Sequence, residues 1–193
     1  MISIMNTPSP LVGEPLAIDL VNTLTGEGDL LATPEQLGTW LALETPRYPA
    51  FAGHRSGRPA LAAALAVREH AAAAFSALLE GRRPPEAALR GLAAAVNAAP
   101  GRVRLAWEGT AVTATVERDG TAAERLAADL AQAAVDVLIS PDVAKLKRCG
   151  ADDCVLIFLA AHPRRQWCSA ERCGNRVRVA RHYRRRKADR AKD

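Results

Sequence analysis

The chain has 193 residues, 49% of them hydrophobic, which suffices for one ordinary domain and a small appendage. No apolar run approaches the roughly 20 residues of a membrane helix, and Met1 to Pro15 lacks the basic start, apolar run and cleavage site of a secretory signal. A soluble, cytoplasmic protein is expected, and the net charge of +5 hides two opposite parts: residues 145–193 hold 15 Lys and Arg against 5 Asp and Glu, residues 1–144 hold 11 against 16.

In chain order, Leu16, Leu20 and Leu24 recur at helical spacing, with Asp19, Asn22 and Thr23 between them, and predict a short helix over 15–24. Thr33-Pro34-Glu35-Gln36 reads as a capping box with proline at the first helical position, opening a helix that buries Leu37, Trp40 and Leu41. Pro and Gly make 47–59 a loop. An alanine-rich helix over 60–80 stops at Gly81, and another runs from Pro84-Pro85 to about Ala99 with Leu89, Leu92 and Val96 inward. Val103, Leu105 and Trp107, then Val112, Ala114 and Val116, alternate about Glu108-Gly109 and predict a β-hairpin. Thr121 and Glu124 form a second capping box, opening a helix that reaches Ser140-Pro141.

The four cysteines, Cys149, Cys154, Cys168 and Cys173, are two pairs, each with four residues between its members. A thioredoxin-like redox pair needs two intervening residues, and reduced cytoplasmic thiols favour metal over disulfide. Two tight turns whose thiolates converge on one ion fit a tetrahedral zinc site, and four thiolates leave no open position for an activated water. The expected cofactor is one structural Zn2+. Cys149 and Cys154 are expected to form a first knuckle, Val155 to Leu159 a strand against the metal, and the stretch from Ser169 onward a basic helix. A hairpin between the knuckles followed by that helix is a treble-clef-like arrangement. The fold class expected is therefore mainly α with one β-hairpin, followed by a small zinc finger.

Phe158, Arg165-Gln166-Trp167-Cys168 and Cys173-Gly174-Asn175-Arg176 with the basic helix behind them resemble the CGNR zinc-finger family. Leu16-Ala17-Ile18-Asp19-Leu20-Val21-Asn22-Thr23-Leu24, Thr33-Pro34 and Leu37-Gly38-Thr39-Trp40-Leu41 resemble the ABATE domain that precedes this finger. The resemblance implies a bacterial stress-responsive transcription regulator, with a finger that binds DNA and an N-terminal domain that senses a ligand. The expected units are an ABATE-like domain over 1–141, the finger with its basic helix over 142–187 and a tail over 188–193. The sequence departs from the family after Phe158, where Leu159-Ala160-Ala161-His162-Pro163 replaces an Asp and a Ser or Thr with a basic residue.

A basic metal module is the electrostatic footprint of a polyanion partner. On a helix Arg178, Arg181 and Arg185 share one face with His182 beside them, and that face is the expected nucleic-acid contact. Arg176 has two readings, a grip on phosphate or a brace for the thiolate turn. Gly174 is expected to let the backbone approach the metal turn and Asn175 to bond backbone or thiolate; Val177, Val179, Ala180 and Tyr183 are expected to pack. Asp19, Asn22, Thr23 and Trp40 are candidates to line a pocket for a small-molecule effector, against the reading that they satisfy the first helix and fill the core. His54, His70 and His162 complete no catalytic or metal motif, so no enzyme is expected. DNA is the expected partner and RNA its rival; a third reading is a zinc-stabilised module whose basic tail lies on an acidic protein surface. A homodimer is expected because one small finger gives limited specificity.

Overall fold

The computed structural model describes residues 12–52, 54 and 56–190, without the side chains of Arg181 and residues 184–190. Six α-helices and three two-stranded antiparallel sheets follow in chain order among the described residues: α1 (Leu16–Val21), β1 (Leu24–Thr25), β2 (Gly28–Asp29), α2 (Pro34–Glu44), α3 (Arg58–Leu79), α4 (Glu86–Ala98), β3 (Gly101–Glu108), β4 (Ala111–Arg118), α5 (Ala122–Ile139), β5 (Leu146–Arg148), β6 (Ile157–Leu159) and α6 (Asn175–Arg190).

Both capping boxes form. Thr33 Oγ1 accepts from Gln36 N at 3.3 Å while Gln36 Oε1 accepts from Thr33 N at 3.0 Å, and Thr121 and Glu124 repeat the exchange at α5. Each satisfies two backbone donors that a helix start leaves without intrahelical partners.

The body is α3, α4 and α5 packed on one another, with α1 laid against α3 and α5 and α2 against α3. Small buried residues set the spacing: Ala60, Ala64 and Ala71 on α3 and Ala131 and Ala134 on α5 share a core with Ile18, Leu20, Trp40, Phe75, Leu92 and Leu130. Gly91 on α4 belongs to the same logic, since a Cβ there would lie 2.2 Å from His70 Nε2. His70 therefore packs over a helix that has no side chain beneath it. By length and composition α3 could cross a membrane, contrary to the sequence expectation, but its buried residues are the centre of this core.

Two helix expectations need correction here. The first helix ends at Val21 and Leu24 is exposed in β1, because Thr23 Oγ1 turns back to Leu20 O at 2.6 Å and Asn22 leaves the helix to bond elsewhere. Leu89 is exposed, because Ala88 and Leu92, four apart, form the buried face of α4. The expected β3–β4 hairpin forms, with its turn at Gly109-Thr110 and the register Val103↔Val116, Leu105↔Ala114 and Trp107↔Val112, and its apolar face is exposed throughout.

The short β5–β6 sheet joins the two parts of the chain. Its pairs are Leu146↔Leu159, Lys147↔Phe158 and Arg148↔Ile157, and residues on alternate positions face opposite ways. Leu146 and Ile157 enter the core of the helical body, while Phe158, fully buried, packs with Cys149, Leu156, Cys168 and Cys173. The hairpin therefore straddles the first cysteine pair and does not lie between the two knuckles. Residues 141–145 form a 3-10 turn that delivers β5 directly onto α3, so the segment expected to be a joint leads into shared packing.

Candidate metal centre and basic helix

The cysteines arrive from three elements: Cys149 directly after β5, Cys154 before β6, and Cys168 and Cys173 around a single π-helical turn, Ala170–Gly174, that opens α6. Their four Sγ atoms all lie within 4.8 Å of one another, with Cys154 to Cys168 at 3.9 Å and Cys168 to Cys173 at 3.6 Å. A tetrahedron of sulfurs at 2.3 Å from zinc has edges of roughly 3.8 Å, so the donor set fits that ion. Burial and the neighbouring thiols push Cys154 up to about 11 and Cys168 higher still. Such thiols ionise when a dication supplies the compensating charge. The four cysteines are the ligands of one structural zinc.

Trp167 explains both Cys-Gly steps. A Cβ on Gly174 would lie 3.2 Å from Trp167 Cδ1, and one on Gly150 3.2 Å from Trp167 Cζ3 and 3.1 Å from Gln166 O. The indole lies against both knuckles, and a side chain at either glycine would crowd it. Cys149 Sγ accepts from the backbone of Cys168 at 3.4 Å, and Arg176 Nη2 lies 3.6 Å from Cys173 Sγ.

Arg176 also pairs with Asp153 between the first two cysteines. It braces one knuckle against the other, and that partner holds its guanidinium above the usual range. Arg178, one of the expected contacts, is exposed with Nη1 held 3.1 Å from Asn175 Oδ1. Asn175 thus supports Arg178 and, among the described residues, bonds no thiolate. His182 is exposed on the same row, while the side chains of Arg181 and Arg185, which the helical backbone places on it, lie outside the described residues. Of the residues expected to pack, Val177 joins the finger core, but Val179 and Tyr183 do not: Tyr183 is 67% exposed, its ring edge-on to His182 at 6.1 Å. Among the described residues the finger core takes Val177 from α6 and leaves the row of Val179 and Tyr183 exposed.

Polar residues of the N-terminal motif hold the finger to the helical body. Asn22 is buried, donates from Nδ2 to Ile157 O and accepts at Oδ1 from Ile157 N, both at 2.9 Å, and so stands in for a third strand beside β6. Glu14 accepts from Leu159 N at 2.9 Å and from Arg165 Nη2 at 2.6 Å. Arg165 in turn donates to Leu159 O, Trp167 O and Cys168 O and lies over the Phe158 ring, 4.3 Å from its centroid. Arg165 was visible in the sequence only as part of a motif, and Glu14 gave no signal, its partner being 151 residues away.

Asp19, fully buried, accepts from the backbone of Gly13 and Glu14 and pairs with Arg47 at 2.7 Å. Arg47 also reaches Glu44 at 3.1 Å and the carbonyl of Glu14. Thr23 Oγ1 accepts from Arg68, which clamps Asp29 with two bonds of 2.6 Å. Trp40 is core, with Nε1 lacking a hydrogen-bond partner. The four candidate effector residues thus do not converge on one space; Asp19, Asn22 and Thr23 each serve an internal contact.

Burial, joined by the nearby Asp19 charge and opposed by Arg47, pushes Glu44 up to about 7 from 4.5. The folded protein then keeps a proton that the unfolded chain loses near 4.5, so this group stabilises most below that pH, and its contribution is lost as pH rises through about 7. Glu44→Gln is expected to flatten the decline in melting temperature between about pH 5 and 8. An unchanged slope in thermal melts of the variant would reject this assignment.

The family profile described as "Putative stress-induced transcription regulator", ABATE, matches residues 14–141, and the CGNR zinc-finger profile matches residues 145–186. No curated protein matches the chain significantly. With an ABATE match over more than half its length and four clustered thiols inside the second match, the chain belongs to the ABATE family and carries a CGNR zinc finger.

Proposed function

We propose that this zinc-binding regulator is a cytoplasmic DNA-binding transcription factor that acts by binding, without catalysis, and that α6 is its nucleic-acid contact. The observation that carries the reading is the division of labour on α6. That helix holds eight Lys and Arg against one Asp; Arg176 is engaged by Asp153 and Cys173, while Arg178 and His182 on the neighbouring row are exposed. Arginine on a major-groove helix can read guanine with both arms of its fork, at about 1 to 3 kcal/mol per pair.

The test is selection of zinc-loaded full-length protein on randomised duplex DNA at about 0.15 M salt, where loose electrostatic binding is weakened. An enriched motif supports the reading. On that motif Arg178→Ala is expected to lower affinity about tenfold or more and relax one base position, whereas Arg190→Ala lowers affinity on all sequences alike. Equal effects from both would leave only phosphate contact.

RNA is the second reading, favoured by exposed Tyr183 next to His182, since RNA readers stack unpaired bases on aromatic rings. Tyr183→Ala weakening single-stranded RNA but not duplex DNA would move the assignment there. For ligand sensing, the best-suited space is a largely apolar groove of about 710 Å3 between Val21, Leu24 and Leu65 of the helical body and Val155 of the finger. A small apolar effector there would touch both parts of the chain.

A further inference from the structure

We infer that the β3–β4 hairpin is a homodimerisation ribbon, whose apolar face stacks on the same face of a second copy of this chain. Val103, Leu105 and Trp107 on β3 and Val112, Ala114 and Val116 on β4 form three cross-strand rows on one face, every one of them exposed, Trp107 at 68%. The strands pair with each other over all eight positions, and this apolar face is uncovered by any other element among the described residues. A lone two-stranded hairpin is marginal in water. Eight regular rows with an uncovered apolar face call for a cover.

The ribbon is anchored at its base. Arg118, its side chain nearly buried, bonds Asp129 of α5 at 2.6 Å and the carbonyl of Ala99 at 2.8 Å. On the opposite face Arg104 pairs with Glu117 at 2.6 Å and Arg102 with Asp119 just past β4. One face is therefore polar and carries its own ion pairs, and the other is apolar and bare.

Three features select a second copy as the occupant. The first is area: an aromatic residue contributes about 150 to 250 Å2, and with the aliphatic residues the face exposes on the order of 600 Å2, the upper end for a monomer surface. Two such faces stacked together remove on the order of 1,200 Å2, the size of a specific interface. The second is charge, since none of the six side chains is charged, so the stack strands no ion and offers none to a charged partner. The third is order along the ribbon: Trp107 and Val112 at the tip, Leu105 and Ala114 in the middle, Val103 and Val116 at the base. An antiparallel twofold stack sets each Trp107 over the smaller valines at the partner's base and brings the two middle rows together. It also keeps the two helical bodies at opposite ends. A twofold interface needs such a self-complementary patch.

The test is sedimentation equilibrium of the zinc-loaded full chain over about 1 to 100 μM, because self-association follows mass action. The expected mass at the upper end is twice 20.6 kDa. Leu105→Glu and Leu105→Lys are each expected to be monomeric at every concentration, and an equimolar mixture to regain the dimer through the opposite charges at the twofold axis. Thr113→Glu, on the other face, should leave the mass unchanged. Trp107→Thr, which keeps a strand-forming residue should the charged variants fail to fold, is expected to weaken the dimer at least tenfold. A monomer throughout, or a dimer that keeps its affinity in Trp107→Thr or in both Leu105 variants, would overturn the inference. So would a partner other than this chain holding the face while the isolated protein stays monomeric.

Discussion

Stripping zinc from the full chain is expected to unfold residues 146–183 and, in the same transition, to remove hydrogen-exchange protection from α1 and the adjoining face of α3. Finger folding depends on its metal, since four thiolates converging on zinc provide on the order of 10 kcal/mol or more to a module this small. The helical body shares in the loss because Leu146 and Ile157 are part of its core and Asn22 and Glu14 bond the β6 backbone. Exposing two buried aliphatic side chains at about 1.5 to 3 kcal/mol each should destabilise the body by about 4 kcal/mol. The core of α3, α4 and α5 should remain folded at low temperature, with a lower melting point. Exchange measured with and without chelator decides it: unchanged protection of Leu16–Val21 in the metal-free protein would mean that the two parts fold independently. Cys154→Ser, which removes one ligand, should shift protection in the same places.

Asn22→Ala is expected to cost about 3 kcal/mol, a large effect for a side chain that touches no metal. Its amide satisfies both Ile157 N–H and Ile157 C=O at a buried site, and each group left without a partner costs about 1 to 3 kcal/mol. Asn22→Asp should be no better, since a carboxylate can accept from the N–H but faces the carbonyl with a charge and no proton. Because the undocked finger is less well ordered, zinc affinity should fall together with stability. Chemical denaturation of the zinc-loaded variant is the check, and a change below about 0.5 kcal/mol would mean that water replaces the amide at no penalty.

The two predictions concern the same seam, where Asn22, Glu14 and Arg165 tie the finger to the body. Asp19 and Arg47 carry the tie further, since Asp19 orders the Gly13 and Glu14 backbone and Arg47 links it to Glu44 at the end of α2. The motif that marks the front of the chain is therefore, in part, the socket for the finger.

Local rules carried much of the reading from sequence alone. The two capping boxes, the hairpin and the alanine-rich helices follow from short-range patterns, because helix caps and turns are completed within a few residues. The four candidate zinc ligands were legible for a related reason: two thiol pairs at short, matching spacing suit a tetrahedral metal site. What covers each apolar face was decided only by the tertiary structure. Alternation says that Val103, Leu105 and Trp107 lie on one side of a strand, and the fold leaves that side bare; helical spacing grouped Val179 and Tyr183, and the finger packs on Val177 instead. The polar seam was equally hidden, since Asn22 meets Ile157 across 135 residues and Glu14 meets Arg165 across 151. A hydrogen bond between distant residues leaves no periodicity behind it. It exists because packing brings two buried groups together where water cannot reach them, and only the folded chain determines which groups those are.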